Sequence, residues 1–286
     1  MPETRIQSTS DTSMEKYKNL LSYLSSKENV FVAFSGGVDS TLLLLAALEA
    51  LGNRAVAIIM KTPFHTHDEI IEAERVSKEL GAQQLTIDID LLENEDVIRN
   101  ASDRCYHCKL SLLGSITEKA RRVGAAVLEG STISDLSDHR PGMRAVEELG
   151  IESPLLKLGF TKDDVRLILK SKGVKSWDIP SNSCLAARIP YNDTITKEKL
   201  RSIQKAEMFL HDLGFSTIRV RHHGDLARVE LDESELQRAV KPSIRRRIVS
   251  RLETLGFTYV ALDLAGYRTG SMNRILNGEK DTNVKV

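Results

Sequence analysis

Residues 31–40 read FVAFSGGVDS, and TLLLLAALEALG follows at once over residues 41–52. The stretch NVFVAF is almost wholly apolar, as expected of a parallel strand covered on both faces. Gly36 and Gly37 remove side chains where the backbone must turn tightly or approach a ligand. The apolar helix that follows aims its free N–H groups and its positive dipole end back at that turn, which is a place for phosphate. The spacing G-x-x-x-x-G-K-S/T is absent, so no lysine of the common nucleotide loop holds a terminal phosphate here.

Outward from this corner, strand-like and helix-like segments alternate. AVAIIMKT predicts a second strand and HDEIIEAERVSKELG a helix that stops at Gly81. QQLTIDID predicts a third strand, Cys108 to Val123 a helix, and AAVLEGST a fourth strand. A short helix from Met143 to Leu149 follows, then the apolar segment SPLLKLG. TKDDVRLILKSKG opens on a threonine cap with acids in the first turn. This rhythm implies an α/β fold, a doubly wound parallel sheet with ligands at the carboxyl ends of its strands. The pattern changes after Tyr191. A long helix, TKEKLRSIQKAEMFLHDLGF, leads to an antiparallel hairpin of STIRVRHHG and LARVELD. Two helices and a last strand, YVALDLAGY, complete a smaller α+β domain. The expected domains are 1–190 and 191–286.

At 286 residues, with 41% apolar content, the chain can bury a real core. A formal net charge of zero gives no overall pull toward nucleic acid. Arg245, Arg246 and Arg247 form a local basic run whose plainest reading is a solvated helix face. The opening MPETRIQSTSDTSMEKYKNL has no apolar leader core and reads as a frayed start. The apolar run Leu42 to Leu48 is too short to span a bilayer. A soluble cytoplasmic protein without membrane or nucleic-acid partners is expected.

The chain has three cysteines, Cys105, Cys108 and Cys184. An odd number argues against a disulfide framework. RCYHCK (residues 104–109) follows the third strand, and PSNSCLAARIPY (180–191) lies at the domain junction. Cys-x-x-Cys brings two sulfurs close enough to share a metal or a redox bond. Zinc would need a fourth ligand, for which His107 or His65 could serve. Three thiolates without an obvious fourth partner better suit a 4Fe–4S cluster with one iron free of protein. Trp177, the lone tryptophan, reads as core.

SGGVDS resembles the PP-loop of ATP pyrophosphatases, which cleave ATP between its α- and β-phosphates, with Ser35, Gly36, Gly37, Val38, Asp39 and Ser40 matching the motif. With RCYHCK, PSNSCLAARIPY, RVRHHGDLARVE and DLAGYRTGSMN, the chain from about Tyr17 to Asn273 resembles the LarE family. Those are ATP-dependent sulfur transferases of nickel-pincer nucleotide synthesis. The resemblance implies a pyridinium-3,5-biscarboxylic acid mononucleotide as substrate, with ATP and Mg²⁺, and a homo-oligomer, a hexamer built from trimers. It implies that Arg219, Arg221 and Arg268 hold the substrate phosphate, a ligand suited to the arginine fork. Alternation places Arg219 and Arg221 on one strand face, and a solvated hairpin is the plain alternative. Glu207 and Glu230 match acids of the family's site, although Glu207 also reads as a surface helix residue. Asp39 is expected to bind Mg²⁺ or organise the loop. In one form of the family a cysteine at the Cys184 position surrenders its own sulfur. In the other, three cysteines hold a 4Fe–4S cluster, and Cys105, Cys108 and Cys184 fit that form. A cluster-dependent tRNA thiolase and a non-enzymatic nucleotide- or zinc-binding module are the rival readings.

Overall fold

A computed structural model describes residues 3–136, 141–179, 183–268 and 271. Pro180, Ser181 and Asn182 of the cysteine-bearing junction, with Thr269, Gly270, Met272 and Asn273 of the C-terminal motif, lie outside the described residues.

The elements run α1 (Glu3–Ser25), β1 (Val30–Phe34), α2 (Val38–Leu51), β2 (Ala55–Lys61), α3 (His67–Glu79), β3 (Gln83–Asp88), α4 (Glu95–Ile98), α5 (Arg104–Val123) and β4 (Ala126–Leu128). They continue as α6 (Gly142–Glu148), α7 (Pro154–Lys157), α8 (Lys162–Ser171), α9 (Lys197–Asp212), β5 (Ile218–His223), β6 (Leu226–Leu231), α10 (Leu236–Ala239), α11 (Pro242–Thr254) and β7 (Tyr259–Leu262). They group into two compact units.

The first unit comprises residues 1–91 and 105–182. Its parallel sheet has the order β3-β2-β1-β4. Strand alternation feeds two cores. Val30, Val32 and Phe34 of β1, with Ala55, Ala57 and Ile59 of β2, join Leu20 and Leu24 of α1, Leu43 of α2, Val76 of α3 and Ile168 of α8. On the opposite face Ile58 and Phe31 meet Leu113, Ile116 and Ala120 of α5 and Val146 of α6. Each fully buried leucine or isoleucine contributes roughly 1.5–3 kcal/mol relative to exposure. Helices on both faces make the sheet doubly wound, as expected.

Three local expectations change. The N-terminal segment is helix α1, not a frayed start. Its apolar positions Tyr17, Leu20 and Leu24 recur at helical spacing and are buried. The helix expected from Cys108 starts a turn earlier: α5 begins at Arg104, so both cysteines lie in its first turns. The fourth strand is only Ala126–Leu128, and the residues after it turn away from the ladder.

The second unit comprises residues 92–104 and 183–286. β5 and β6 form an antiparallel hairpin closed by Gly224 (φ 61°) and Asp225, and β7 lies parallel to β6. Val220, Val229 and Leu231 face Ala206 and Leu210 of α9 and Ile248 and Leu252 of α11. The detour 92–104 groups with this unit for a visible reason. Asn100, fully buried at φ 57°, donates its amide to the carbonyls of Ile189 (3.2 Å) and Pro190 (2.7 Å). Its backbone carbonyl accepts the Asn192 N–H at 2.9 Å, and the Ile98 carbonyl accepts the Ile195 N–H at 2.8 Å. Arg104 adds a hydrogen bond to the Ala186 carbonyl at 3.1 Å.

Candidate active site

In the first unit the chain runs β1, β2, β3 to one side and then returns to place β4 on the other side of β1. The carboxyl ends of β1 and β4 therefore flank the switch point of the sheet, where such folds bind ligands. SGGVDS leaves β1 at that point. Gly36 has φ 76°, and a Cβ there would come within 3.0 Å of the Ala73 backbone. Only glycine is comfortable at such a position. Gly37 caps α2 in an extended conformation, and its carbonyl accepts the Thr41 N–H at 2.9 Å and the Ser40 hydroxyl at 3.0 Å. Ser40 Oγ accepts the Ser35 N–H at 3.3 Å and lies 3.2 Å from Ser35 Oγ. The two serines thus fix the turn from within, and the first N–H groups of α2 stay directed at the corner.

The other wall comes from beyond β4 and was missed in the sequence reading. A Cβ on Gly130 would lie 3.0 Å from the Ser40 nitrogen and 3.1 Å from the Asp39 carbonyl carbon. The backbone after β4 is in direct contact with the loop. Glu129, 7% exposed, accepts the Ser131 N–H at 3.1 Å and the Ser131 hydroxyl at 2.7 Å, and Ser153 also donates to it. Lys109 of RCYHCK reaches Glu129 at 3.5 Å. Asp39, in the first turn of α2, is ion-paired to Lys162 at 3.1 Å.

Cys105 is exposed and Cys108 half-buried, three residues apart at the start of α5. Positions i and i+3 share a helix face. The start of α5 is tied to α6. Tyr106 donates to Glu148 at 2.7 Å, Arg144 lies 3.6 Å above the Tyr106 ring, and Gly142 allows α6 to approach the Lys109 side chain. His65 is bonded to Thr62 at 3.2 Å, and burial lowers its pKa. Among the described residues no group of three or more His, Cys, Asp or Glu side chains converges as a metal site within either unit.

In the second unit Arg219 and Arg221 of β5 and Glu230 of β6 share the hairpin face away from the apolar core. Arg221 is 4% exposed and Glu230 fully buried. Arg221 forks onto Glu230 at 3.0 and 2.7 Å and gives its third nitrogen to the Ala187 carbonyl at 2.9 Å. Arg228 adds a bond to Glu230 at 3.0 Å, and Ser271 one at 3.3 Å. Arg219 is half-buried and 5.0 Å over the Tyr267 ring; burial first, then the charge of Arg188, lowers its pKa. A desolvated guanidinium beside another cation gains most from an incoming anion. Arg268 is exposed.

Glu207 is not a free surface residue. It holds Arg188, which is 1% exposed, through two 3.1 Å bonds and accepts the Val220 N–H at 2.9 Å. Arg188 belongs to the junction motif PSNSCLAARIPY, and the sequence alone points to no role for it. It donates to the Cys184 carbonyl and the Ser183 hydroxyl, each at 2.9 Å, and to the Ser183 carbonyl. The backbone of the half-buried Cys184, which caps the 3₁₀ turn Leu185–Arg188, is therefore fixed by a buried arginine. A cationic residue four places after a cysteine, inside the apolar run LAARIP, was the available signal.

Comparison with known proteins follows the same lines. A family model described as NAD synthase matches residues 13–124. The pyridinium-3,5-bisthiocarboxylic acid mononucleotide synthase of Lactiplantibacillus plantarum is 36% identical over 263 residues, covering 91% of this chain and 95% of the relative. An uncharacterized protein of Synechocystis is 36% identical over 262 residues, covering 91% and 98%. A glutamine-hydrolyzing GMP synthase of Aeropyrum pernix is 27% identical over 208 residues, covering 63% of this chain and 38% of its own.

Proposed function

Because the chain belongs to the family of the pyridinium-3,5-bisthiocarboxylic acid mononucleotide synthase, the LarE family, we propose that it is an ATP-dependent sulfurtransferase acting on the corresponding pyridinium biscarboxylate mononucleotide. The carrying observation is the SGGVDS corner, closed by Gly130 at the switch point of a parallel sheet. A carboxylate is a poor electrophile with a poor leaving group. Transfer of AMP from ATP to a carboxylate oxygen expels pyrophosphate and creates an acyl adenylate. A sulfur nucleophile then adds to the acyl carbon, and AMP departs with the original oxygen. The loop N–H groups and Mg²⁺ carry the phosphate charge, with Asp39 as the carboxylate placed to receive the cation.

Arg219, Arg221 and Arg268 are assigned to the substrate phosphate, with Glu207 and Glu230 setting the arginine forks around them. Sulfur delivery is assigned to a 4Fe–4S cluster held by Cys105, Cys108 and Cys184, a donor set of three sulfurs that suits iron. The placement of Cys105 and Cys108 three residues apart on one face of α5 supports this reading. The alternative is direct sulfur donation by Cys184, whose backbone Arg188 fixes. No helix among the described residues is long and apolar enough to cross a membrane. Cytoplasmic location and a hexamer of paired trimers complete the proposal, the latter read by native mass spectrometry.

The test is AMP release with ATP, Mg²⁺ and the pyridinium mononucleotide. Asp39→Ala should abolish it in a folded protein, and normal AMP production would remove the loop from the mechanism. Anaerobic reconstitution with iron and sulfide analysis, in Cys105→Ala and Cys108→Ala, separates the two sulfur sources. Full activity in both variants with a mass loss of about 34 Da, cysteine becoming dehydroalanine, would sink the cluster.

A further inference from the structure

Lysine is out of place at residue 162. It opens α8 directly after the Thr161 cap, where free N–H groups and the positive end of the dipole favour acids. Asp163 and Asp164, the next two residues, obey that preference. The Lys162 side chain is instead drawn to two carboxylates. Its Nζ lies 3.1 Å from Asp39 Oδ2 and 3.4 Å from Asp135 Oδ1. Asp135 ends the 3₁₀ turn after β4 and is 4% exposed. Its Oδ2 already accepts the Thr132 N–H at 2.9 Å and the Thr132 hydroxyl at 3.1 Å. One ammonium thus stands between a carboxylate of the β1 corner and a buried carboxylate of the β4 corner. A residue that breaks a local rule while meeting a tertiary demand points to function at that spot.

We propose that Lys162 is a triphosphate-binding residue of this site. Its ammonium neutralises Asp39 and Asp135 while no nucleotide is bound, and it turns to the β- and γ-phosphates when ATP enters. This rests on the nucleotide reading given above. Two uncompensated carboxylates beside a phosphate cradle would repel a polyanion. A lysine resolves that conflict because its charge is compact and rides on a flexible four-carbon stem. The side chain is 30% exposed, so little packing opposes the swing. Asp39 is thereby released as the metal-bearing charge arrives with the nucleotide, and Asp135 keeps its two Thr132 bonds throughout. Because the contact is to phosphates beyond the first, Lys162 favours ATP and pyrophosphate over AMP.

Calorimetric titration of ATP, pyrophosphate and AMP, each with Mg²⁺, into the full chain tests this in wild type, Lys162→Met and Lys162→Arg, with thermal melts as the check on folding. Lys162→Met should weaken ATP and pyrophosphate about tenfold or more, the loss of one charge-assisted contact, and leave AMP nearly unchanged. Lys162→Arg should recover most of the affinity. If Lys162→Met does not fold, acetylation of native Lys162 by an amine-reactive ester, read by peptide mass spectrometry, replaces it. Pyrophosphate with Mg²⁺ should slow that labelling several-fold, whereas AMP should not. Unchanged ATP affinity in folded Lys162→Met, equal losses for ATP and AMP, or labelling indifferent to pyrophosphate would overturn the proposal. A wild-type chain that binds neither ATP nor pyrophosphate would instead overturn the nucleotide reading itself.

Discussion

The phosphate corner of the first unit and the hairpin face of the second handle charge in opposite ways. The corner is made of backbone: two glycines, two serine hydroxyls and the open end of α2. Its positive character is a sum of partial charges, and the full charges at its edge, Asp39 and Asp135, are met by the partly exposed Lys162. The hairpin face is made of full charges taken out of water, with Arg188, Arg221, Glu207 and Glu230 all buried or nearly so. Such pairs hold geometry at a desolvation cost that leaves little net stability. The first kind of site fails when a backbone is pushed. The second fails when one partner is left alone.

The strongest way to break this contrast is Glu230→Ala. It strands Arg221 in a site where that residue is 4% exposed and should cost about 3–5 kcal/mol, read as a fall in denaturation midpoint. Glu230→Gln, which keeps the acceptor, should cost clearly less. A Glu230→Ala protein as stable as wild type would show that the hairpin charges are solvated after all.

Next in size is Gly36→Ala. A left-handed alanine costs roughly 1–2 kcal/mol, and displacement of the Ala73 backbone adds to it. AMP formation should fall by more than stability does, because the loop itself moves. An alanine variant with intact turnover would mean that the corner tolerates a different path.

A third measurement concerns Asp164, at the head of α8. Burial opposes its charge, but Lys16, Ser13 and Thr161 outweigh that and bring its pKa from 3.8 to about 2. A carboxylate depressed on folding stabilises above its unfolded pKa and loses that contribution as pH falls through the folded one. Between pH 4 and 2 the wild type should therefore lose about 1–2 kcal/mol that Asp164→Asn does not lose, read from paired urea melts. Parallel acid profiles for both proteins would remove the network from α1 docking. The smallest effect is expected at exposed Arg75, paired with Glu72 and Glu79 on α3. Arg75→Ala should move the melting temperature by no more than about 1 °C, since solvent screens the pairs.

Legibility in the sequence follows the same divide. The corner could be read because glycines, a hydroxyl and an acid sit within six residues, and the strand and helix on either side carry their own periodicity. The parallel sheet followed from strand–helix alternation alone. Helix α1 was not read because its polar first half hid the apolar spacing of Tyr17, Leu20 and Leu24. The role of Gly130 could not be seen either, since its partner is the backbone of Ser40, far away in the chain. Arg188 and Glu207 are 19 residues apart and belong to different elements. Each taken singly is an ordinary charged residue, and only the fold makes them a pair. Lys162 and Asp135, 27 residues apart on different elements, are hidden in the sequence for the same reason. The solvated hairpin face expected from alternation does not hold for Arg221, whose burial no alternation pattern records.

The excursion of residues 92–104 into the second unit has a consequence for how the protein is made. These residues leave the ribosome well before their partners at Ile189, Pro190 and Ile195 exist. At about 5–20 residues per second the gap lasts roughly 5–20 s. During that time Asn100 has no carbonyls to bind, and the first unit has not yet received the strand Ala126–Leu128. Neither unit can be finished as an uninterrupted stretch of nascent chain. A fragment beginning at Ser183 would emerge without the asparagine that ties its first segment in place.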